Sequence, residues 1–212
     1  MLHPALIAQS GSLPEPVEWT WEVRPPAPSP ALPNVLLIGD SITRAYFPQV
    51  TKDLEGIANV YLMATSASIG DPRLPRQIAG FVSLERIRFQ VVHFNNGMHG
   101  WDYTEVQYRA AFPSFLHAIQ NIPTHSWLIW ATTTPVQSDQ SPGASNPRIE
   151  ARNRIAASFV RPAGIVTDDQ HALMAMHQDQ HEDNVHYREP GAALMGDRAA
   201  ATIRQELSKS GK

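Results

Sequence analysis

Hydrophobic positions in this chain fall into short runs separated by amphipathic stretches. Apolar runs at 34–38, 59–63, 89–94, 126–131 and 164–167 are the length of strands buried on both faces. Between and after them, 43–54, 104–122, 148–160 and 190–207 carry apolar residues at helical spacing, and the last of these starts with Pro190 in its first turn. Strands that alternate with helices pair in parallel through right-handed crossovers, so the pattern predicts an α/β fold: a five-stranded parallel sheet covered on both faces, a three-layer α/β/α sandwich. Upstream, Trp19-Thr20-Trp21-Glu22-Val23 alternates with a period of two, which predicts a small edge strand or clamp.

Proline punctuates the chain before residue 34, at positions 4, 14, 16, 25, 26, 28, 30 and 33. Each proline removes an amide donor and fixes φ, so residues 1–33 are expected to form an extended arm packed on a domain comprising 34–212. No internal repeat or composition shift marks a second domain. Met1 to Ser10 lacks the basic start and long apolar segment of an intact signal peptide, and the compartment is left open.

With 17 Lys plus Arg against 20 Asp plus Glu, the net charge is -3 and no block of like charge attracts nucleic acid or an anionic membrane. Cysteine is absent, which removes disulfides, thiolate metal sites and cysteine nucleophiles. No apolar run approaches the roughly twenty residues needed to span a bilayer. The charge balance suits a neutral or small partner, and the oligomeric state is open.

In a parallel α/β sheet the ligand site lies beyond the carboxyl ends of the strands. Ser41 follows the first of these strands, Gly70 lies on the loop after the second, and His99 follows the third. The loop 132–147 follows the fourth, and Asp183 and His186 precede the final helix. A serine hydroxyl needs a base to take its proton, and His186, oriented by Asp183, is the leading candidate. The competing reading of Gly39-Asp40-Ser41 is an ordinary strand-to-helix turn with a capping side chain.

Gly39-Asp40-Ser41-Ile42-Thr43 resembles the first sequence block of the SGNH/GDSL hydrolases, and Asp183-Asn184-Val185-His186-Tyr187-Arg188-Glu189-Pro190-Gly191 resembles their last. The resemblance runs from about Asn34 to the final helix. It implies a flavodoxin-like sandwich and hydrolysis of esters or thioesters, commonly of acyl groups on sugars or lipids, by Ser41, His186 and Asp183. It also implies an oxyanion hole containing the Ser41 amide and a glycine amide, for which Gly70 is the best match. The family's third block carries Gly-x-Asn. Here the ungapped match sets Gly97 on the glycine and His99 on the asparagine, a departure that makes His99 the expected third donor, with Asn95 or Asn96 as alternatives.

Arg73, Trp101 and Tyr187 are candidate substrate contacts, Trp130 is expected in the core, and the polar loop 138–147 is long enough to form a rim or lid. His177 and His181 have the i, i+4 spacing of a helical zinc pair, with His171, Asp179 and Glu182 nearby. Gln178, Gln180 and Glu182 leave that segment without an apolar face, so a polar loop without metal is expected. With the resemblance, the expectation is a cofactor-free serine esterase that removes a small acyl group from a carbohydrate or similar alcohol, its partner a small-molecule or glycan ester, and the choice of acetate foremost is what the resemblance implies. The alternatives are a thioesterase, lysophospholipase or acyltransferase with the same triad, or an inactive carbohydrate-binding relative.

Overall fold

The structure, a computed structural model, describes residues 11–122 and 127–209. The first ten residues of the arm, with Pro4, and the expected strand start at Ser126 lie outside the described residues. The sheet has six strands: β1 (Thr20–Val23), β2 (Asn34–Gly39), β3 (Asn59–Thr65), β4 (Val91–Phe94), β5 (Trp127–Ala131) and β6 (Val166–Asp168). They lie in the order β1-β3-β2-β4-β5-β6. Five are mutually parallel, as expected, and β1 adds a sixth by running antiparallel to β3 at the edge.

The pleat sorts the two layers. In β2, Leu36 and Ile38 face one core with Tyr61, Met63, Val92 and Phe94, where α2 (Arg73–Glu85) and α3 (Glu105–Gln120) supply Ile78, Phe81, Phe112 and Phe115. Val35 and Leu37 face the other with Val60, Leu62 and Ile129, covered by α1 (Ser41–Asp53) and α6 (Glu189–Lys209) through Tyr46, Val50, Met195 and Ile203. Each of these large side chains is worth about 1.5–3 kcal/mol when fully buried, and both faces of β2 are saturated with them. That is why β2 reads as a continuous apolar run. Trp130 is in the core as expected.

Two helices have no counterpart in the sequence pattern. In α2 the periodic set Leu74, Ile78, Phe81 and Val82 is buried, but Pro75 and Gly80 interrupt it and mask the signal. The short α5 (Gln170–Ala175) is only six residues long. Between β5 and α6, α4 (Asn146–Val160) packs beside α3. No helix among the described residues is long and apolar enough to cross a membrane.

The arm is tied down by side chains of the sheet. Asn59 accepts from the Ser29 amide at 2.8 Å and donates to the Ser29 carbonyl at 2.8 Å. Closer to the carboxyl edge, Ser12 donates to Asp71 at 2.6 Å, and the Leu13 amide donates to the Tyr103 hydroxyl at 2.6 Å. The arm thereby reaches the loops that follow β3 and β4.

Candidate active site

Ser41 is the first residue of α1, immediately after β2. Asp40 caps the helix by accepting the Ile42 amide at 3.0 Å, and the Ser41 amide lies in the first turn, where amides have no intrahelical acceptor. Ser41 Oγ lies 2.8 Å from His186 Nε2, and His186 Nδ1 lies 2.8 Å from Asp183 Oδ2. The other Asp183 oxygen accepts both the Val185 and the His186 amides at 2.7 Å. Burial alone raises the Asp183 carboxyl, but these amide bonds and the His186 ring bring it down to about 2. Because an ionised carboxylate only accepts, Nδ1 of His186 carries the hydrogen and Nε2 is left to accept from the Ser41 hydroxyl.

The segment around His186 is braced on both sides. Asn184 Oδ1 accepts from the Ser138 amide and hydroxyl at 2.9 and 2.8 Å, which joins the turn to the 138–147 loop. The His186 carbonyl accepts the Glu182 amide at 2.9 Å and lies 3.3 Å from His181 Nδ1. His181 in turn stacks on Tyr187 with ring centroids 4.1 Å apart. Neither Asn184 nor His181 was singled out for this supporting role from sequence, since each acts on residues brought near by the turn or the fold.

The loops after β3 and β4 interlock. An added Cβ on Gly70 would come within 2.6 Å of the Tyr103 ring, and one on Gly100, which has φ +74°, would come within 2.4 Å of Ser68. His99 lies on the second of these loops. Its Nδ1 donates to Glu15 at 2.9 Å, its ring meets Trp19 edge-on at 6.0 Å, and its Nε2 is buried without a partner among the described residues.

Asn95 and Asn96, the alternative donors, are turned to other tasks. Asn95 donates to the Ala131 carbonyl at 2.5 Å and to Thr133 at 3.1 Å while accepting the Gly97 amide at 2.8 Å. The Asn96 amide reaches the carbonyls of Gly39 and Thr65 at 3.5 and 3.4 Å. Both tie strand ends together, so neither presents a free donor amide.

Two of the three candidate substrate contacts have their polar groups engaged within the protein. Tyr187 is 4% exposed, and its hydroxyl donates to the Pro135 carbonyl at 2.8 Å, so it is a core residue. Arg73 is held by Asp71 at 2.6 Å and Glu18 at 2.8 Å, pairs that raise its already high pKa, and its charge is spent on anchoring the arm. Trp101 is partly exposed, but its ring carries the Arg152 guanidinium at 4.1 Å and that of Arg148 at 5.2 Å. His177 and His181 flank a one-turn 3-10 segment, Gln178–Gln180, so the helical face that would align them does not form. Among the described residues, no three His, Cys, Asp or Glu side chains gather as metal ligands.

Searches of protein-family models and of curated proteins find no match to the sequence. Solved structures do match. A lipase/acylhydrolase from Enterococcus faecalis aligns with a TM-score of 0.66 at 18% identity, over 82% of this chain and 96% of that one. A carbohydrate esterase family 3 protein from Talaromyces cellulolyticus aligns at 0.64 and 17% identity, over 84% and 99%. A member of the lipolytic protein G-D-S-L family from Veillonella parvula aligns at 0.60 and 18% identity, over 81% and 98%. Across most of its length, the chain has the fold of GDSL-type acylhydrolases and carbohydrate esterases.

Proposed function

We propose that this protein is a serine esterase of the SGNH/GDSL type that hydrolyses a small O-acyl ester, acetyl foremost, of a carbohydrate or similar alcohol. The observation that carries the reading is the unbroken hydrogen-bonded chain from Ser41 through His186 to Asp183, with 2.8 Å at each link. Ser41 Oγ attacks the ester carbonyl as its proton passes to His186 Nε2. Asp183 fixes the ring and stabilises the imidazolium. Negative charge on the carbonyl oxygen is met by the Ser41 and Gly70 amides and by His99. His186 returns its proton to the departing alcohol, and water then repeats the sequence to free the carboxylate and restore Ser41. The choice of a carbohydrate ester draws on the fold shared with the carbohydrate esterase, and that of acetyl on the resemblance of the two end blocks to the SGNH/GDSL hydrolases.

Labelling with a fluorophosphonate, followed by mapping of the modified peptide, tests the assignment. Label is expected on Ser41, lost in His186→Ala and unaffected by a metal chelator. Label on another residue, or activity abolished by chelation, overturns it. Comparing acetate with longer 4-nitrophenyl esters, with and without an added alcohol acceptor, then fixes acyl length and separates hydrolysis from transfer.

A further inference from the structure

The arm reaches the candidate site through more than packing. Glu18 accepts from Ser66 at 2.7 Å and from Arg73 at 2.8 Å, and the Trp19 amide donates to Ser66 at 2.8 Å. Just ahead of these anchors in the chain, a single Glu15 oxygen accepts His99 Nδ1 at 2.9 Å and the Gly100 amide at 3.3 Å. Arg152, buried in α4, donates to the His99 carbonyl at 3.0 Å and to the carbonyls of Gly100 and Tyr103 at 2.9 Å. The imidazole is therefore gripped at its Nδ1 edge, on its flank by Trp19 and at its backbone. Only Nε2 is left over, and a buried ring nitrogen without a partner is a cost that calls for a use.

Topology places the loop that carries it. The Asn95 amide donates to the Ile38 carbonyl at 2.9 Å, so β4 accompanies β2 to its end, and the 95–99 loop opens beside Ser41. Trp19, which flanks His99, also lies 5.3 Å beneath the Arg44 guanidinium, less than one turn along α1 from Ser41.

The Glu15 carboxylate accepts and never donates, so Nδ1 of His99 bears a hydrogen. A neutral ring would then offer a lone pair at Nε2, which repels an oxyanion. Only the doubly protonated ring offers Nε2–H. Resting on the esterase reading above, we propose that Glu15 is a positioning residue that keeps His99 protonated at both nitrogens, so that Nε2–H is a charged donor to the oxyanion. Burial of His99 opposes its charge, but the Glu15 bond and the carboxylates of Asp40, Glu15 and Glu18 outweigh it and raise the pKa. The cations nearby act elsewhere: Arg152 is spent on backbone carbonyls, and Arg44 lies across Trp19. A group whose pKa is raised holds its proton below that value and loses it as pH rises through it, so activity should carry an alkaline limb set by His99.

The test is the pH profile of kcat/KM for acetate release by the full chain. His99→Ala should lose roughly 10²–10³-fold in kcat, as for removal of one oxyanion donor. His99→Asn should recover part of that loss with a donor that does not titrate, and the alkaline limb should vanish. Glu15→Gln should move the limb to lower pH by about one unit or more while leaving the acid limb in place. Added to His99→Asn, Glu15→Gln should not change the profile. An unmoved limb in Glu15→Gln, or a limb that survives His99→Asn, overturns the proposal. A second readout needs no substrate: long-range proton–nitrogen spectra of the unmodified protein near neutral pH, with His99 assigned by difference from His99→Asn. Two protonated ring nitrogens are expected, and a single neutral tautomer overturns the proposal whatever the ester result. Absence of fluorophosphonate label on Ser41 defeats the esterase reading, and the oxyanion role with it, while the spectrum still decides the Glu15–His99 pair.

Discussion

Replacing Asp183 with asparagine makes a sharp test because the surrounding amides dictate how the new side chain must sit. Asp183 Oδ1 receives two backbone amides at 2.7 Å, from Val185 and His186, and only an oxygen can accept them. In Asp183→Asn the carbonyl oxygen is therefore locked toward the backbone and the NH₂ group faces His186 Nδ1. Two donors cannot share that contact, so the ring shifts its hydrogen to Nε2, which can no longer take the Ser41 proton. A wrong-tautomer triad loses about 10⁴-fold in kcat, or roughly 5.5 kcal/mol of transition-state stabilisation. Asp183→Ala removes the carboxylate but imposes no tautomer. The Asp183 side chain is 59% exposed, so water takes over part of its role, and the alanine variant should retain on the order of ten-fold more activity than the asparagine variant. The assay is kcat for 4-nitrophenyl acetate at fixed pH, with titration of active sites to exclude misfolded protein. Asparagine outperforming alanine would refute the tautomer argument, and with it the role given to the two amides.

What was readable from sequence follows the range over which each signal acts. Val35 to Ile38 announced β2 because a strand buried on both faces must be apolar at every position. The place of Ser41 between strand and helix is legible locally, and so is the pairing of Asp183 with His186, because one turn carries both the ring contact and the Val185 and His186 amides that aim the carboxylate. By contrast, α2 hid behind Pro75 and Gly80 although its buried positions keep a helical period. The partner of His99 lies 84 residues away on an arm whose path no local pattern reveals. Tyr187 and Arg73 are substrate-contact candidates by their place near the loops beyond the strands. What decides their roles is the carbonyl of Pro135 for one, and the carboxylates of Asp71 and Glu18 for the other, groups supplied by tertiary packing or by the turn of a loop. Local chemistry survives translation from sequence, whereas the state of a side chain depends on neighbours that only the fold selects.

Two stability measurements check the framework that holds the site. Asn95→Ala strands the Gly97 amide and the Ala131 carbonyl, at about 1–3 kcal/mol for each buried group left unpaired. At ~2–4 °C per kcal/mol for a chain of this size, Tm should fall by several degrees, and an unchanged Tm would mean that water replaces both bonds. Gly196→Ala sets two effects of opposite sign against each other where α6 crosses α1. Alanine within a helix normally gains about 0.5–1 kcal/mol over glycine, but here the new Cβ would lie 2.5 Å from Gln49 Cβ and 3.0 Å from the Tyr46 carbonyl. Neither is the free end of a flexible side chain, so α1 must shift, and overpacking of this kind costs about 1–3 kcal/mol. The clash wins, and urea unfolding should show a lower midpoint with an unchanged slope. Gly80→Ala in α2 is the matched control, since its Cβ would meet nothing within 4 Å and the same substitution should raise the midpoint. If both variants are stabilised, α1 and α6 are not in the close contact that positions Ser41 at the head of its helix.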